Sequence, residues 1–378
     1  MLPRALPRRL PLSRPVLIGS EIYRSSRYGR RHPLSIARVS PTIDLCRALG
    51  WLPDGSYVES PMATPDQLMR FHDPTYVAAL MEAERTQHAD AETCRRHGIG
   101  CNGNPVFPEV FRRPATSVGA SLEGARRIRA GGVAYNPAGG THHGRPDRAS
   151  GFCFFNDLVL AILSLRDAGV ERVLYVDLDA HHGDGVEDAF FDDEQVLTIS
   201  IHEAGRWPGT GGLGDRADGM ARNLPMPAGF NDSELAAVID DAVLPLARRF
   251  RPEALVIQGG ADALNDDPQS RLSLSNNALF AAVEALLPLA PRVLVTGGGG
   301  YNPWAVARCW AGIWATIAGQ AIPDRLPPDA ETLLRGLEWH HSRGRNPPDH
   351  WFTTLADPPN PGPVRDEVRA AIAAVLAP

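Results

Sequence analysis

Short apolar runs alternate with amphipathic stretches along the chain, and each has the length of one secondary-structure element. Runs rich in β-branched residues have the pattern of strands buried on both faces. We predict strands at residues 15–19, 132–136, 173–177, 196–201, 254–258 and 292–296. We predict helices at residues 42–49, 64–70, 75–85, 116–130, 156–169, 186–190, 233–250, 276–287, 304–317 and 364–376. This alternation predicts an α/β fold: an open, mostly parallel sheet with helices on both faces.

The segments outside this alternation are polar or proline-rich. Residues 88–111 are irregular around several glycines, and we expect a surface loop there. Residues 321–378 are proline-rich and then helical, which predicts a peripheral extension packed on the same domain. Residues 1–14 lack the apolar core of a secretory signal, so we expect a flexible leader. Without repeats or a low-complexity linker, residues 15–320 are expected to form one domain.

Composition narrows the class of protein. Hydrophobic residues make up 43% of the 378 residues and charged residues 22%, which is ordinary for a soluble globular protein. The net charge of −6, without a sustained basic stripe, argues against direct binding of nucleic acid. No apolar run approaches the roughly 20 residues that span a bilayer. The five cysteines show neither a disulfide framework nor Cys-x-x-Cys spacing, so we expect a reducing, cytoplasmic compartment.

The strand predicted at residues 173–177 ends in a dense group of ionisable side chains. Because side chains alternate along a strand, Asp177 and Asp179 should point the same way. Asp179 and His181 can then reach one metal as an oxygen and a nitrogen ligand, which zinc accepts. The alternative is a strand-to-helix turn with solvated acids and a capping aspartate. Five ionisable residues between Asp177 and Asp184 favour the metal site.

Three further predicted strands end in residues that could share this site. His142 and His143 are adjacent and cannot share one face of a regular element, so their rings could do different jobs. Asp262 follows a buried strand and two glycines and is a candidate third ligand. Tyr301 follows four glycines, which let the backbone pass close to another group. The simpler explanations are exposed loop histidines, a helix cap and a tyrosine packed at a flexible hinge.

Together these strand ends predict a catalytic metal centre. Three residues could supply the ligands of one zinc ion with an open position: Asp179, His181 and Asp262. Two spare acids, Asp177 and Asp184, could hold the neighbouring histidines through their other ring nitrogens. Zinc lowers the pKa of its bound water to near neutral pH. A histidine can then accept the proton, and a tyrosine hydroxyl can stabilise the oxyanion. The residues therefore predict metal-assisted hydrolysis of an amide.

Five motifs in this order resemble those of the zinc-dependent histone deacetylase family, which includes bacterial amidohydrolases of the acetoin utilisation type. They are Asn-Pro-Ala-Gly-Gly-Thr-His-His at 136–143, Gly-Phe-Cys-Phe-Phe-Asn-Asp at 151–157, Tyr-Val-Asp-Leu-Asp-Ala-His-His-Gly-Asp-Gly at 175–185, Gly-Ala-Asp at 260–262 and Gly-Gly-Gly-Gly-Tyr at 297–301. The resemblance extends from about His32 to Ile317. It implies the arginase/deacetylase fold and a zinc-dependent deacetylase domain at residues 15–320.

The resemblance also implies a role for each residue. The Zn²⁺ ligands would be Asp179, His181 and Asp262. The proton-handling pair, His142 and His143, would be backed by Asp177 and Asp184 respectively, and Tyr301 would polarise the substrate carbonyl. The channel for acyl-lysine would be lined by Gly151, Phe152, Trp207 and Gln269. A structural K⁺ would lie, largely through backbone oxygens, on Asp177, Asp179, His181, Ser200 and Ile201.

The chain departs from the family pattern around the substrate. Gly103 stands near the position of an aspartate that usually grips the substrate backbone, and glycine cannot replace that carboxylate. Gln269 replaces an apolar channel residue, and Trp207 is bulkier than the usual phenylalanine. These departures slightly favour a small acylated amine, such as a polyamine, over acetyl-lysine in a protein. Both substrates stay open.

Two other functions remain as alternatives. A non-catalytic acyl-ligand binder or sensor could keep the pocket, but every reacting residue, including Tyr301, is present. Arginase-like hydrolysis with two manganese ions would need more carboxylates near His142, where this chain has Gly-Gly-Thr. A homo-oligomer is compatible with the sequence but is not predicted by it.

Overall fold

In this computed structural model, residues 14–29 and 32–377 are described. The predicted leader, residues 1–14, lies outside them except for Arg14. The strands are β1 (Val16–Gly19), β2 (Tyr57–Glu59), β3 (Gly132–Asn136), β4 (Val173–Asp177), β5 (Val196–Glu203), β6 (Ala221–Met226), β7 (Ala254–Gln258) and β8 (Arg292–Thr296). They form one eight-stranded sheet in the order β2-β1-β3-β8-β7-β4-β5-β6. Every neighbouring pair is parallel.

Helices follow most of the strands. They are α1 (Ile22–Ser25), α2 (Val39–Ala48), α3 (Pro65–Leu68), α4 (Pro74–Thr86), α5 (Ala91–His97), α6 (Arg112–Arg127), α7 (Asp157–Asp167), α8 (Asp184–Ala189), α9 (Asp232–Val238), α10 (Leu244–Phe250), α11 (Asn276–Leu286), α12 (Pro303–Ala318), α13 (Pro328–Arg335), α14 (His350–Thr353) and α15 (Asp366–Leu376). A π-helical turn, Ile239–Val243, joins α9 to α10 within the single helix predicted there.

Helices cover both faces of the sheet, as the apolar runs predicted. In β4, Leu174 and Val176 point to the face covered by α2, α11 and α12. Val173 and Tyr175 point to the face covered by α6 and α7. All five residues of β4 are buried, because a parallel sheet between two helical layers has no solvent-facing side. The predicted α/β class is confirmed.

The segment predicted to be a loop, residues 88–111, is partly helical. It contains α5, and a disulfide joins Cys94 in the middle of that helix to Cys101. The sequence showed no disulfide framework, and this single pair was not predicted, because the pairing depends on how the chain folds back after Gly98 and Gly100. The cysteine pattern therefore no longer supports the prediction of a reducing compartment.

Residues 321–377, the C-terminal extension, pack on the domain through α13, α14 and α15. These helices contact α2, α12 and β6 respectively. The guanidinium of Arg308 in α12 is fully buried and pairs with Asp357 at 2.6 Å. Within the described residues, no helix combines the length and apolarity needed to cross a membrane.

Candidate metal centre and entrance cavity

Four adjacent strands at the centre of the sheet, β3, β8, β7 and β4, end at the same edge. In parallel α/β sheets, ligands bind beyond the carboxyl ends of the strands. The loops that follow these strands carry, respectively, His142 and His143, Tyr301, Asp262, and Asp179 with His181. The structure thus brings together residues that the sequence places up to 159 positions apart, from His142 to Tyr301 (301 − 142).

Asp179, His181 and Asp262 form a compact group of possible metal ligands. Nδ1 of His181 lies 3.1 Å from Oδ1 of Asp179 and 3.0 Å from Oδ2 of Asp262. One donor atom of each residue lies within 4.8 Å of the other two. Two carboxylate oxygens and one imidazole nitrogen at this spacing fit a divalent cation whose other positions stay open.

The charges of this group also favour a cation. Burial and the charge of Asp179 raise the pKa of Asp262, so two close carboxylates are unfavourable without a positive partner. Burial lowers the pKa of His181, but the two aspartates outweigh it and raise that pKa to about 10. A metal ion that binds here must therefore displace a proton from the imidazole.

Neighbouring donors orient the two carboxylates. The side-chain amide of Gln258 donates to Oδ2 of Asp179 at 2.8 Å, and the N–H of Gly299 donates to the same oxygen at 2.7 Å. The N–H of Ala180 donates to Oδ1 of Asp262 at 2.9 Å. Gln258 was not predicted as a site residue, although a polar side chain at the end of the apolar strand β7 was a usable signal.

Each of the adjacent histidines has its own carboxylate. Nδ1 of His142 lies 2.7 Å from Oδ2 of Asp177, and Nδ1 of His143 lies 2.6 Å from Oδ1 of Asp184. A carboxylate only accepts hydrogen bonds, so each Nδ1 carries the hydrogen and each Nε2 is left for the pocket. The guanidinium of Arg145 holds the other oxygen of Asp184 at 2.5 Å.

The two histidines have opposite pKa shifts. Burial lowers the pKa of His142, but the charges of Asp177 and Asp179 outweigh burial and raise it to about 9. Burial and the charge of His142 lower the pKa of His143 to about 3, against the opposing effect of Asp184. Near neutral pH the pair therefore combines an imidazolium at His142 with a neutral imidazole at His143.

Buried polar groups fix the loop that carries these histidines. Nε2 of His72 accepts the N–H of Asn156 at 3.0 Å, while its Nδ1 lies 2.9 Å from the carbonyl of Arg145. Oδ1 of Asp157 accepts the N–H groups of Gly140 and Thr141, at 3.1 and 2.8 Å. His72 was missed because it lies 84 residues from Asn156 in the sequence.

Tyr301 is buried and lies between two cavities. Its ring centroid is 6.1 Å from that of Phe152 in the cavity that opens toward solvent. It also lines an inner cavity with Arg38, whose guanidinium donates to the carbonyl of Gly298 at 2.8 Å. Burial and the charge of Asp262 raise the pKa of the Tyr301 phenol well above its usual range, so the hydroxyl keeps its proton.

The entrance cavity has a volume of about 620 Å³ and reaches His143, His181 and Tyr301. All four residues predicted to bind substrate line it: Gly151, Phe152, Trp207 and Gln269. Trp207 is 50% exposed, and its ring packs edge-on against His143 with 4.6 Å between centroids. A Cβ on Gly151 would lie 2.5 Å from the Trp207 ring and 2.6 Å from that of His143, so no side chain fits there.

The rim near Gly103 differs from the family pattern in a specific way. Asn104 accepts the backbone N–H of Phe152 on its Oδ1 at 2.9 Å. The carbonyl of Gly103 accepts from Nε2 of His32 at 2.9 Å. These two acceptors at the rim therefore hold the wall of the cavity.

The residues predicted to bind potassium lie at the end of β4, in the loop that follows it and in the neighbouring part of β5. Asp177 in β4 is the parallel partner of Ser200 in β5, and Ile201 follows it. Oδ1 of Asp177 accepts the N–H of Asp179 at 3.1 Å, and Oδ1 of Asp179 accepts the N–H of His181 at 3.0 Å. Their binding of K⁺ stays a prediction.

The described residues include one other group with metal-ligand spacing: Asp266, His350 and Asp357. One of its carboxylates already pairs with an arginine, which the carboxylates of the central group do not do among the described residues. Oδ1 of Asp357 pairs with Arg308 at 2.6 Å, and Oδ2 of Asp266 accepts from the Trp351 indole at 2.7 Å. This group is therefore a weaker candidate than the central one.

Carboxylates and an imidazole gathered beyond a parallel sheet, next to histidines oriented by acids, are typical of metal-dependent hydrolases. Comparison with known proteins agrees. A model described as the histone deacetylase domain matches residues 32–317. The chain is 34% identical over 328 residues to the acetoin utilization protein AcuC of Bacillus subtilis strain 168, covering 83% of this chain and 84% of that protein.

Two further comparisons give the same result. The chain is 35% identical over 299 residues to histone deacetylase 8 of Xenopus tropicalis, covering 77% of this chain and 80% of that protein. The crystal structure of an HDAC homolog from Aquifex aeolicus superposes with a TM-score of 0.93 at 34% identity, covering 97% of this chain and all of that chain (100%). The chain belongs to the histone deacetylase family. Membership indicates a deacetylase, which is a hydrolase, and suggests a metal cofactor.

Proposed function

We propose that this protein is a zinc-dependent deacetylase that hydrolyses an acylated amine. The observation that carries the proposal is the convergence of Asp179, His181 and Asp262 to within 4.8 Å beside a buried tyrosine. Zn²⁺ held by these residues would supply a Lewis acid that acidifies water and polarises the amide carbonyl. The remaining steps belong to side chains of the chain itself.

His143 is the proposed general base. Its Nδ1–H is held by Asp184, and its low pKa leaves Nε2 free to take the proton of the attacking water. The same Nε2–H then donates that proton to the leaving amine nitrogen. His142 stays protonated on Asp177 and places positive charge beside the carbonyl as the oxygen becomes negative.

Tyr301 is the proposed hydrogen-bond donor to the substrate. Its phenol keeps its proton and would donate it in a hydrogen bond to the carbonyl oxygen as charge develops. Phe152 and Trp207 would flank the aliphatic part of the acylated amine, and Gly151 lets the rings of Trp207 and His143 pack directly against the main chain. Gln269 would contact the substrate at the opening of the same cavity.

For the structural cation, we propose K⁺ bound beneath the metal centre. The binding residues would be Asp177, Asp179, His181, Ser200 and Ile201. The register of β4 and β5 supports this proposal, because it brings backbone oxygens of both strands to one place. The cation would hold the strand end that carries the zinc ligands.

We propose a small acylated amine as the substrate. Gly103 provides no carboxylate, and Oδ1 of Asn104 already accepts the N–H of Phe152, so neither supplies a free acceptor to a peptide backbone. The charged side chains that line the entrance cavity among the described residues, apart from histidines, are Arg95 and Arg148. Each of these arginines pairs with a neighbouring acid, Arg95 with Glu92 and Arg148 with Asp147, so charge at the entrance does not separate polyamines from uncharged amides.

A turnover screen with metal analysis of the same preparation tests the function. The substrates are acetyl-lysine peptides, acetylated polyamines and small acetylated amines without a second positive charge. We expect acetate release that a chelator abolishes and Zn²⁺ restores. No turnover of any substrate by fully zinc-loaded protein would overturn the proposed function. A large preference for peptides would overturn the small-substrate assignment alone.

A further inference from the structure

The backbone of Tyr301 is held by a buried aspartate side chain that has no role in the chemistry proposed above. Oδ2 of Asp267 accepts the N–H of Tyr301 at 2.6 Å, and Oδ1 accepts the N–H of Gln269 at 2.8 Å. Asp267 is 1% exposed. One side chain thus couples the residue proposed to polarise the substrate to a residue at the opening of the entrance cavity.

The C-terminal extension lies beyond the residues matched to the family. It contacts the backbone of Asp267. The guanidinium of Arg343 donates to the carbonyl of Asp267 at 2.9 Å. The indole of Trp351 donates to Oδ2 of the neighbouring Asp266 at 2.7 Å. The extension therefore contacts the segment of Asp266 and Asp267, and Asp267 in turn contacts Tyr301.

The extension also packs on the helix that follows Tyr301. Trp304, in the first turn of α12, donates its indole N–H to the carbonyl of Leu334 at 2.8 Å. Its ring stacks on Trp351, with 5.4 Å between centroids and an interplanar angle of 28°. Tyr301 is therefore fixed from both directions, through Asp267 and through Trp304.

We propose that Asp267 is a positioning residue for Tyr301 and that the C-terminal extension, through Arg343, keeps Asp267 in place. The inference rests on the proposed function, because it assigns a consequence to the position of the Tyr301 hydroxyl. The two side-chain oxygens of Asp267 accept the N–H groups of Tyr301 and Gln269, so loss of these hydrogen bonds lets the glycine-rich segment before Tyr301 move. The substrate would still bind, while the phenol would meet the carbonyl less often in the required geometry.

Two pairs of variants test the proposal in the zinc-loaded, full-length protein. Asp267→Leu removes both acceptors, whereas Asp267→Asn keeps one carbonyl oxygen. Arg343→Ala removes the contact from the extension, and Arg345→Ala is the control because Arg345 is an exposed arginine in the same turn. Each of these variants is made in the wild-type background and in the Tyr301→Phe background.

The expected result is a loss of kcat with little change in KM. Arg343→Ala should lower kcat about threefold to tenfold, the scale of one hydrogen bond, and Arg345→Ala should not. Asp267→Leu should lower kcat more than Asp267→Asn does. In Tyr301→Phe these differences should disappear, because no hydroxyl remains to be positioned. Equal effects in both backgrounds, or equal kcat for Arg343→Ala and Arg345→Ala, would overturn the proposal.

A second measurement does not depend on turnover. Amide hydrogen exchange of the segment around Tyr301 is followed in metal-free protein. Exchange should be faster in Asp267→Asn and Arg343→Ala than in the wild type and Arg345→Ala. Unchanged exchange contradicts the inference even if the enzyme is active. Faster exchange in a protein that hydrolyses no acylated amine would support the contact and reject the proposed function.

Discussion

The rings of His142 and His143 lie 3.9 Å apart between centroids, yet their Nδ1 atoms bond to different carboxylates. Asp177 holds one ring and Asp184 the other. The charges of Asp177 and Asp179 act on His142, whereas burial and the positive charge of His142 itself act on His143. Adjacent residues with one side-chain chemistry thus acquire pKa values near 9 and near 3.

This difference predicts the alkaline side of the pH–rate profile. His142 is protonated below its pKa of about 9, so kcat/KM should fall as pH rises through that value. Asp177→Asn removes the charge that opposes burial, so the pKa of His142 should drop and the fall should move to lower pH. Profiles of kcat/KM for both proteins check this. An alkaline limb that stays in place in Asp177→Asn contradicts the role given to His142.

Metal analysis after dialysis tests the ligand group. Asp262→Asn and His181→Ala each leave two of the three donors, so bound Zn²⁺ should fall well below one per chain. Gln258→Leu removes the group that orients Asp179, and loss of such a partner costs about 10- to 100-fold in metal affinity. Asp192→Asn, at an exposed aspartate, is the control and should bind as the wild type does. Stoichiometric, tight binding in Asp262→Asn would reject this site.

Tyr301→Phe removes one hydroxyl from the site and little else. Loss of one donor to a developing oxyanion typically lowers kcat about 10²- to 10³-fold, so a decrease of that size is expected with KM nearly unchanged. Steady-state kinetics on the best substrate of the screen measure it. Zinc content and the unfolding temperature serve as controls for folding. Full activity in the phenylalanine variant would remove Tyr301 from the mechanism.

Trp207→Ala tests the wall of the entrance cavity. The indole is half exposed and packs on His143, so its loss should remove contact with the substrate and leave the proton pathway intact. An aromatic contact is worth about 0.5–1.5 kcal/mol, so KM should rise about two- to tenfold with a small change in kcat. A large loss of kcat at constant KM would instead place Trp207 in the support of His143.

Acid stability depends on His72. Its Nε2 accepts the N–H of Asn156, and burial lowers its pKa to about 4. A depressed pKa gives stability above the unfolded value of about 6.5, and this stability is lost as pH falls toward 4. The difference between the unfolded and folded pKa values of His72 corresponds to roughly 3 kcal/mol of folding stability. Denaturant unfolding of metal-free protein at pH 7 and pH 4.5 should show a smaller loss in His72→Gln. An equal loss in both proteins contradicts the assignment.

The sequence predicted the central strands because they are buried on both faces, which gives unbroken apolar runs. The edge strands β2 and β6 were not predicted, because neither has an unbroken apolar run. Tyr57–Glu59 is short and half exposed, and Ala221–Met226 contains Arg222, Asn223 and Pro225. Proline is tolerated there because β6 has a partner on one side only.

The chemistry at the strand ends was also visible in the sequence, since ligand residues follow directly on apolar runs. The residues that support it were not. His72 and Asp267 reach the site through contacts between distant segments, and they look like ordinary polar residues of their helices and loops. The disulfide between Cys94 and Cys101 was missed for the same reason, because two cysteines seven residues apart carry no pairing signal alone.

The four consecutive glycines before Tyr301 have a consequence for redesign. A Cβ at Gly299 would lie 1.9 Å from Oδ2 of Asp262, and one at Gly298 would lie 2.4 Å from the Gln258 amide. One at Gly297 would lie 2.2 Å from the carbonyl of Pro137. The main chain of these glycines therefore forms the inner end of the pocket, and no substitution there can change the depth of the pocket. Variants that accept longer or shorter acyl groups have to be sought among the side chains of the walls.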